Sequence, residues 1–138
     1  MALVLDTSVL LAALDSADRG HTRCAGLIEG AAEALIVPSL VLAELDYWCH
    51  ERLTGDVWLA FLEDLLGGAF RLEHPTQSDL ERALELQRTY ADLKVGVVDA
   101  SVLVVVERLA EPKLATLDHR HFSVMRPRHV EALRLLPG

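Results

Sequence analysis

Short apolar runs alternate with longer amphipathic segments along the whole chain. The short runs have the length of buried strands, and the longer segments repeat their apolar residues at helical spacing. The predicted strands are residues 2–5, 35–37, 70–72, 113–117 and 132–136. The predicted helices are residues 8–14, 21–30, 39–52, 56–66, a segment that begins near 78, residues 98–109, and a short helix or loop over 119–126.

Local signals support three of these helices. Ser39 follows Pro38 and can cap the helix that begins there. The segment Ser78–Glu81 has capping-box spacing, and the helix that follows has an inner stripe formed by Leu80, Ala83, Leu84 and Gln87. Residues 98–109 contain five valines, which would also suit a strand, but their 12-residue length favours a helix.

The alternation of strands and helices predicts an α/β fold. We expect one domain over residues 1–138, with helices on both faces of a central parallel sheet of four to five strands. The carboxyl ends of parallel strands lie along one edge, and ligands bind outside that edge in open α/β sheets. Polar residues that directly follow strands are therefore the first candidates for a functional site.

Composition and charge narrow the class of protein. Hydrophobic residues make up 51% of the chain, which is enough for a sizeable core, and no apolar run approaches the ~20 residues of a membrane span. The N-terminus lacks the basic start of a signal peptide, so we expect a cytoplasmic protein. In such a protein we expect Cys24 and Cys49 to be reduced and buried, with a disulfide between them as the alternative. The net charge of −8 argues against a nucleic-acid binder. The part of the chain after Pro112, however, contains five basic residues and only two acidic ones. Bound divalent cations would also offset part of the negative charge.

Two aspartates directly follow predicted strands. Asp6 comes after strand 2–5 and Asp118 after strand 113–117, so both belong at the same edge of the sheet. Each has a purely structural alternative, because Asp is also a favoured helix N-cap and turn residue. Taken singly, neither residue separates function from structure.

Two further acids lie on predicted helices. Glu44 is flanked at helical spacing by four apolar residues, Leu40, Val41, Tyr47 and Trp48, and a carboxylate on a buried stripe needs a partner. That partner could be an arginine in a buried salt bridge, but the position of Glu44 near the start of its helix favours a metal ion. Asp99 heads a stripe formed by Val102, Leu103 and Val106, with an N-cap as its structural alternative.

Convergence of these acids favours a metal site. Four acids from four separate elements are predicted at one edge, which independent helix caps would have no reason to produce. Clustered carboxylates repel one another unless a cation is present, and all-oxygen ligation favours Mg²⁺ or Mn²⁺ over Zn²⁺. Such ions can activate water for phosphodiester cleavage. Three hydroxyl residues flank the acids and could orient them, namely Thr7, Ser8 and Thr116.

Four segments of the chain resemble the PIN-domain nucleases, and among them the VapC-type toxins of bacterial toxin–antitoxin pairs. These segments are residues 4–10, 42–45, 90–101 and 115–122, and they appear in the family's order. The resemblance implies a PIN-like α/β/α sandwich and Mg²⁺- or Mn²⁺-dependent endonucleolytic cleavage of cellular RNA (tRNA, rRNA or mRNA). It also implies a homodimer and inhibition by a cognate antitoxin.

The resemblance also assigns roles to single residues. Asp6 and Asp99 match the principal metal ligands, and Glu44 and Asp118 complete an acidic quartet. Relatives often carry another acid three positions before the third one, where this chain has Gly96, so the number of metal ions stays open. Asp92 lies in a matching segment but reads as a solvated or capping residue.

Other features carry less weight. His119 and His121 lack further ligands at a recognised zinc spacing, so we expect a solvated loop there, in which a histidine or Arg120 could touch RNA phosphate. Four aromatic residues more often indicate a core or a dimer interface than base stacking, namely Trp48, Trp58, Phe61 and Phe70.

Two alternatives to the nuclease remain. A non-catalytic binding module would keep the scaffold and use its acids for stability or for a basic partner. A phosphoryl-accepting receiver domain would need an acid at the end of a middle strand, whereas strand 35–37 ends in Pro38-Ser39.

Overall fold

The computed structural model describes all 138 residues. Five strands and seven α-helices follow one another along the chain, with a 3₁₀ turn at Ala91–Leu93. In order, they are β1 (Ala2–Val4), α1 (Thr7–Leu14), α2 (His21–Glu29), β2 (Ala34–Pro38), α3 (Ser39–Arg52), α4 (Gly55–Leu66), β3 (Arg71–Glu73), α5 (Gln77–Thr89), α6 (Val97–Arg108), β4 (Lys113–Ala115), α7 (His119–Phe122) and β5 (Arg134–Leu136). The predicted elements are therefore confirmed, with ends shifted by at most four residues.

All strands are parallel. Strand β2 lies between β1 and β3, and β4 pairs with β5. A bridge from Leu5 to Ala115 joins the two groups, and the Asp6 N–H donates to the Ala115 carbonyl at 2.9 Å. The strand order is thus β3-β2-β1-β4-β5, which confirms the predicted α/β sandwich around a parallel sheet. The loops that leave β1 and β4 lie side by side at its carboxyl edge.

Helix α6 is the central helix of the core. Residues 100–106 are all buried, and the helix lies against β1, β2, α3 and α5. Contact on several sides explains why its valines repeat without the gaps of an amphipathic pattern. The choice of helix over strand for this segment is confirmed.

The start of α5 near Ser78 is confirmed, but its predicted capping box is wrong and its predicted inner face is only partly right. The capping box is formed by Thr76 and Asp79, whose side chains accept from each other's N–H at 3.0 and 3.1 Å. Leu80 and Leu84 are about half exposed, whereas Ala83 is buried. Where α5 packs against α6, the contact is made by the small side chain of Ala83 and by an ion pair between Asp79 and Arg108. The spacing of apolar residues along the sequence does not predict this ion pair.

The predictions for α3 also need correction. Ser39 is the first helical residue and makes no capping hydrogen bond, because Pro38 occupies the cap position. The buried residues follow a different line, formed by Val41, Leu45 and Cys49. Tyr47 and Trp48 are exposed, so Glu44 lies beside the buried face and not in the middle of it.

Two further predictions concern the cysteines and membrane spans. Cys24 and Cys49 are both buried and unpaired, as expected. No helix combines the length and apolar character that a membrane span requires.

Candidate metal centre

Asp6 is a buried carboxylate held by three donors. Its Oδ1 accepts from the Thr7 N–H at 2.8 Å, so it also caps α1. Its Oδ2 accepts from the Thr116 hydroxyl at 2.7 Å and from the Ser8 hydroxyl at 3.2 Å. The residue is only 3% exposed, and no Lys, Arg or His pairs with it. The carboxylate is therefore oriented but not neutralised by the chain.

Burial and neighbouring acids perturb Asp6. The pKa of Asp6 is raised from 3.8 to about 7, chiefly by burial and also by the negative charges of Asp99 and Glu44. The hydrogen bonds from Thr116 and Thr7 act in the opposite direction, because they favour the ionised form. A cation placed beside Asp6 would remove this penalty.

Asp99 lies in the first turn of α6, but Gly96 is the cap of that helix, so the N-cap alternative for Asp99 is wrong. Its Oδ2 is 2.6 Å from Nδ1 of His121, whose Nε2 is 3.0 Å from the Leu93 carbonyl oxygen. The carbonyl of Leu93 can only accept, so Nε2 donates to it, and an ionised Asp99 accepts from Nδ1 when the imidazole is protonated. The hydrogen bond to Asp99 accordingly raises the pKa of His121.

Asp118 joins the same group. Its Oδ1 accepts from the His121 N–H at 3.2 Å as the cap of α7, and its Oδ2 lies 3.4 Å from the His121 ring. Burial raises the pKa of Asp99, the His121 bond lowers it, and the charge of Asp118 raises it. Potential ligand atoms of Asp99, Asp118 and His121 all lie within 4.8 Å of one another. A single cation could contact this group.

Three hydroxyls tie the acids to the sheet edge. The Thr7 hydroxyl donates to Oε1 of Glu44 at 2.6 Å. The Ser8 and Thr116 oxygens lie 3.3 Å apart, and they accept the N–H groups of Leu117 and Asp118 at 2.9 and 3.0 Å, respectively. The loops after β1 and β4 are thereby bonded to each other, which fixes Asp6 relative to Asp118.

All four predicted acids line one open cavity of about 380 Å³. Arg52 is the only cationic side chain in its lining, and its Nη2 contacts Asp15 and Asp18 at 3.2 and 3.4 Å. Trp48, Leu11 and Leu117 are the apolar members of the wall. Five acids, one arginine and three apolar side chains therefore share the lining of this cavity.

Three residues of the site are not predicted from the sequence, and one predicted RNA-contact residue, Arg120, lies outside the cavity. His121 is half-buried against two acids, so the expected solvated loop is wrong for it, and its position three residues after Asp118 was the available signal. Trp48 and Arg52 lie four and eight residues after Glu44 on α3. Arg120 is exposed and does not line the cavity.

Comparison with known proteins gives consistent matches. The PIN-domain family model matches residues 3–126. Ribonuclease VapC26 of Mycobacterium tuberculosis is 38% identical over 125 residues, which cover 91% of this chain and 93% of that protein.

Two crystal structures share the fold at lower identity. Mycobacterium tuberculosis VapC20, a sarcin–ricin loop cleaving toxin, gives a TM-score of 0.79 at 21% identity and covers 88% of this chain and 92% of its own. VapBC2 of Rickettsia felis, bound to a DNA fragment from its promoter, gives 0.67 at 19% identity, with 98% of each chain covered.

Proposed function

The chain belongs to the PIN-domain family and is an endoribonuclease of the VapC toxin type, and we propose that its catalytic centre is a divalent-cation site formed by four acids, Asp6, Glu44, Asp99 and Asp118. The observation that carries this proposal is Asp6. Its carboxylate is buried, is surrounded by other acids and has no cationic partner within the chain.

The donor set fits a hard divalent ion. Carboxylate oxygens are the ligands that Mg²⁺ and Mn²⁺ prefer, and no thiolate lies among the residues that line the cavity. His121 uses both ring nitrogens in hydrogen bonds, so it holds Asp99 in place and leaves ligation to the carboxylates. We propose Mg²⁺ or Mn²⁺ as the cofactor.

The bound ion and the surrounding side chains would have different roles in cleavage. The bound ion would supply activation of a water molecule and charge stabilisation of the leaving oxygen. Thr116 and Ser8 fix the direction of Oδ2 of Asp6, and Thr7 does the same for Glu44. The His121 side chain contacts both Asp99 and Asp118 and orients Asp99 within the acidic group.

Substrate and partners follow from the same assignment. We propose that the substrate is cellular RNA (tRNA, rRNA or mRNA), that residues 1–138 act as one nuclease domain in the cytoplasm, and that the chain forms a homodimer. We also propose that a cognate antitoxin inhibits it, because similar folds occur in a VapBC2 structure of Rickettsia felis and a toxin–antitoxin complex of Klebsiella pneumoniae. An acidic cavity would accept a basic segment of such a partner.

Cleavage of end-labelled RNA tests the proposal. Wild-type protein should cleave with Mg²⁺ or Mn²⁺ and stop when the metal is chelated. Asp99→Asn should not cleave under any of these conditions, whereas the exposed Asp92→Asn should match the wild type. Cleavage that persists in excess chelator, or in Asp99→Asn, would contradict the proposed centre.

A further inference from the structure

One face of α3 extends from the acidic centre along the cavity wall. Glu44, Trp48 and Arg52 are spaced four residues apart, so they lie on the same side of the helix, and all three line the cavity. A helix rises about 1.5 Å per residue, so successive members are about 6 Å apart along its axis. An acid, an aromatic ring and a cation therefore follow one another outward from the centre.

We propose that Trp48 and Arg52 form a subsite for one unpaired nucleotide of the RNA substrate, with its base stacked on the indole and its phosphate on the guanidinium. This inference rests on the proposed function, because it takes the acidic centre as the place of cleavage. It adds a binding role for two residues outside the acidic cluster.

The exposure of Trp48 supports base stacking. Trp48 is 41% exposed, and its ring meets the ring of Tyr47, a residue that is 56% exposed, edge to face at a centroid distance of 5.1 Å. The other tryptophan, Trp58, packs against the core and stacks on Phe61 at 6.0 Å. Trp48 is thus a large aromatic side chain in the same cavity wall as the acids, with a substantial part of its surface open to solvent, which suits a platform for a base.

Arg52 has the donors that a phosphate requires. Its Nη2 contacts Asp15 and Asp18, which hold the guanidinium in place. Nε and Nη1 make no hydrogen bond within the chain, and the side chain is 43% exposed. A guanidinium carries five N–H donors in a planar fork that matches phosphate geometry. Because no other cationic side chain lines the cavity, Arg52 is the principal protein group there that could attract RNA backbone.

The subsite predicts a class of substrate. A base can lie on Trp48 only when it is free of the stacking of a duplex, so the preferred RNA is a loop, bulge or single strand. A second copy of this chain could also cover the aromatic pair, and the experiment separates this outcome from RNA binding.

Cleavage kinetics on a short single-stranded RNA give the main test. Trp48→Ala should raise KM on the order of tenfold, with a smaller change in kcat, whereas Trp58→Phe should leave KM unchanged. An oligonucleotide lacking the base next to the cleaved bond should show the same rise in KM with wild type. It should show no additional rise with Trp48→Ala, because the two changes remove one contact. Arg52→Gln should raise KM and make it less dependent on salt, by about one phosphate contact.

Fluorescence gives a second measurement, independent of turnover. The sequence has two tryptophans, so Trp58→Phe leaves Trp48 as the sole reporter. In an Asp6→Asn background, which should not cleave, the same RNA should quench Trp48 more than the oligonucleotide lacking that base. Equal quenching by both, or none, would overturn the subsite.

The outcomes distinguish the two proposals. If wild type cleaves RNA and Trp48→Ala keeps the wild-type KM, the subsite is wrong and the nuclease stands. If wild type cleaves no RNA, the proposed function fails, and the quenching of Trp48 still decides whether a nucleotide binds there. If Trp48→Ala converts a dimer to a monomer and KM does not respond to removal of the base, the aromatic pair is a protein interface and the subsite is overturned.

Discussion

Two groups of buried and half-buried acids lie in this molecule, and they differ in what neutralises them. Between α5 and α6, Glu107 accepts from Nε and Nη2 of Arg82 at 3.0 Å each, and Asp79 accepts from Nε of Arg108 at 3.1 Å. At the carboxyl edge of the sheet, Asp6 has only hydroxyl and N–H donors. The first group is complete within the chain, whereas the second carries uncompensated charge.

The difference indicates what each group does. An arginine opposite a buried acid satisfies both charge and hydrogen bonds, so that pair links two helices and needs nothing further. Hydroxyl groups satisfy hydrogen bonds and fix geometry, but they leave the negative charge in place. We therefore expect the acids at the carboxyl edge of the sheet to destabilise the metal-free protein and to bind a cation.

The largest expected effect is loss of cleavage when an acid of the sheet edge is neutralised. Asp6→Asn or Asp99→Asn should lower kcat/KM by about a thousandfold, since a catalytic metal ion contributes several kcal/mol to the transition state. The folded structure should persist, because Asn keeps the shape of Asp, its oxygen can accept from the Thr7 N–H, and the Thr116 and Ser8 hydroxyls can accept from its amide group. Cleavage assays measure the loss of activity, and circular dichroism checks that the fold is retained. An active Asp6→Asn would contradict the functional role assigned to the acids at the sheet edge.

The reverse pattern is expected at the α5–α6 pair. Arg82→Leu should lower the free energy of unfolding by about 3 kcal/mol, because it leaves Glu107 buried without its cation. Cleavage by the molecules that remain folded should be unchanged. Denaturant titration measures the effect, with the exposed Arg88→Leu as a control that should stay within about 0.5 kcal/mol of wild type. A loss at Arg82 no larger than at Arg88 would mean that the ion pair is not structural.

A smaller effect is expected from the hydroxyls that orient the acids. Thr116→Val keeps the side-chain shape but removes the donor to Asp6, and it should weaken divalent-metal binding by roughly ten- to a hundredfold. Thr54→Val is a matched control, since the Thr54 side chain makes no capping hydrogen bond. Calorimetric titration with Mn²⁺ compares the two, and equal affinities would remove Thr116 from the site.

The smallest expected effect is a pH dependence of stability without metal. The pKa of Asp6 is about 7 in the folded protein and 3.8 as the reference value, so the folded state binds the extra proton between these values. Stability from this group is present at low pH and is lost as the pH rises through 7. Between pH 6 and 8, wild type in chelator should lose about 1 kcal/mol relative to Asp6→Asn. Urea titrations at both pH values measure this, and parallel behaviour of the two proteins would contradict the perturbed pKa.

The sequence was sufficient for the sheet and for the acids that follow its strands. Asp6 and Asp118 come directly after apolar runs, and parallel strands deliver their carboxyl ends to one edge, so their proximity follows from topology. The valine-rich segment of α6 could be assigned from its length, although its composition suited a strand. Local pattern and chain topology were enough for these features.

Features that depend on packing between elements could not be predicted in the same way. The buried face of α3 contains Val41 and Cys49, whereas the aromatic residues near Glu44 are exposed. A prediction based on apolar residues at helical spacing places those aromatic residues on the buried face instead. The sequence alone predicts a solvated loop for His121, because the contact between His121 and Asp99 joins residues 22 positions apart. Only the arrangement of α6 against α7 brings them together.

The decisive measurement is Mn²⁺ binding by equilibrium dialysis at pH 8. It compares wild-type protein with Asp6→Asn and Asp99→Asn and asks whether the acidic edge of the sheet binds a divalent ion. We expect wild type to bind at least one ion and both variants to bind it at least tenfold more weakly, because the carboxylates are the ligands. Absence of binding to wild type, or equal binding by all three proteins, would contradict the assignment of this acidic edge as a metal centre.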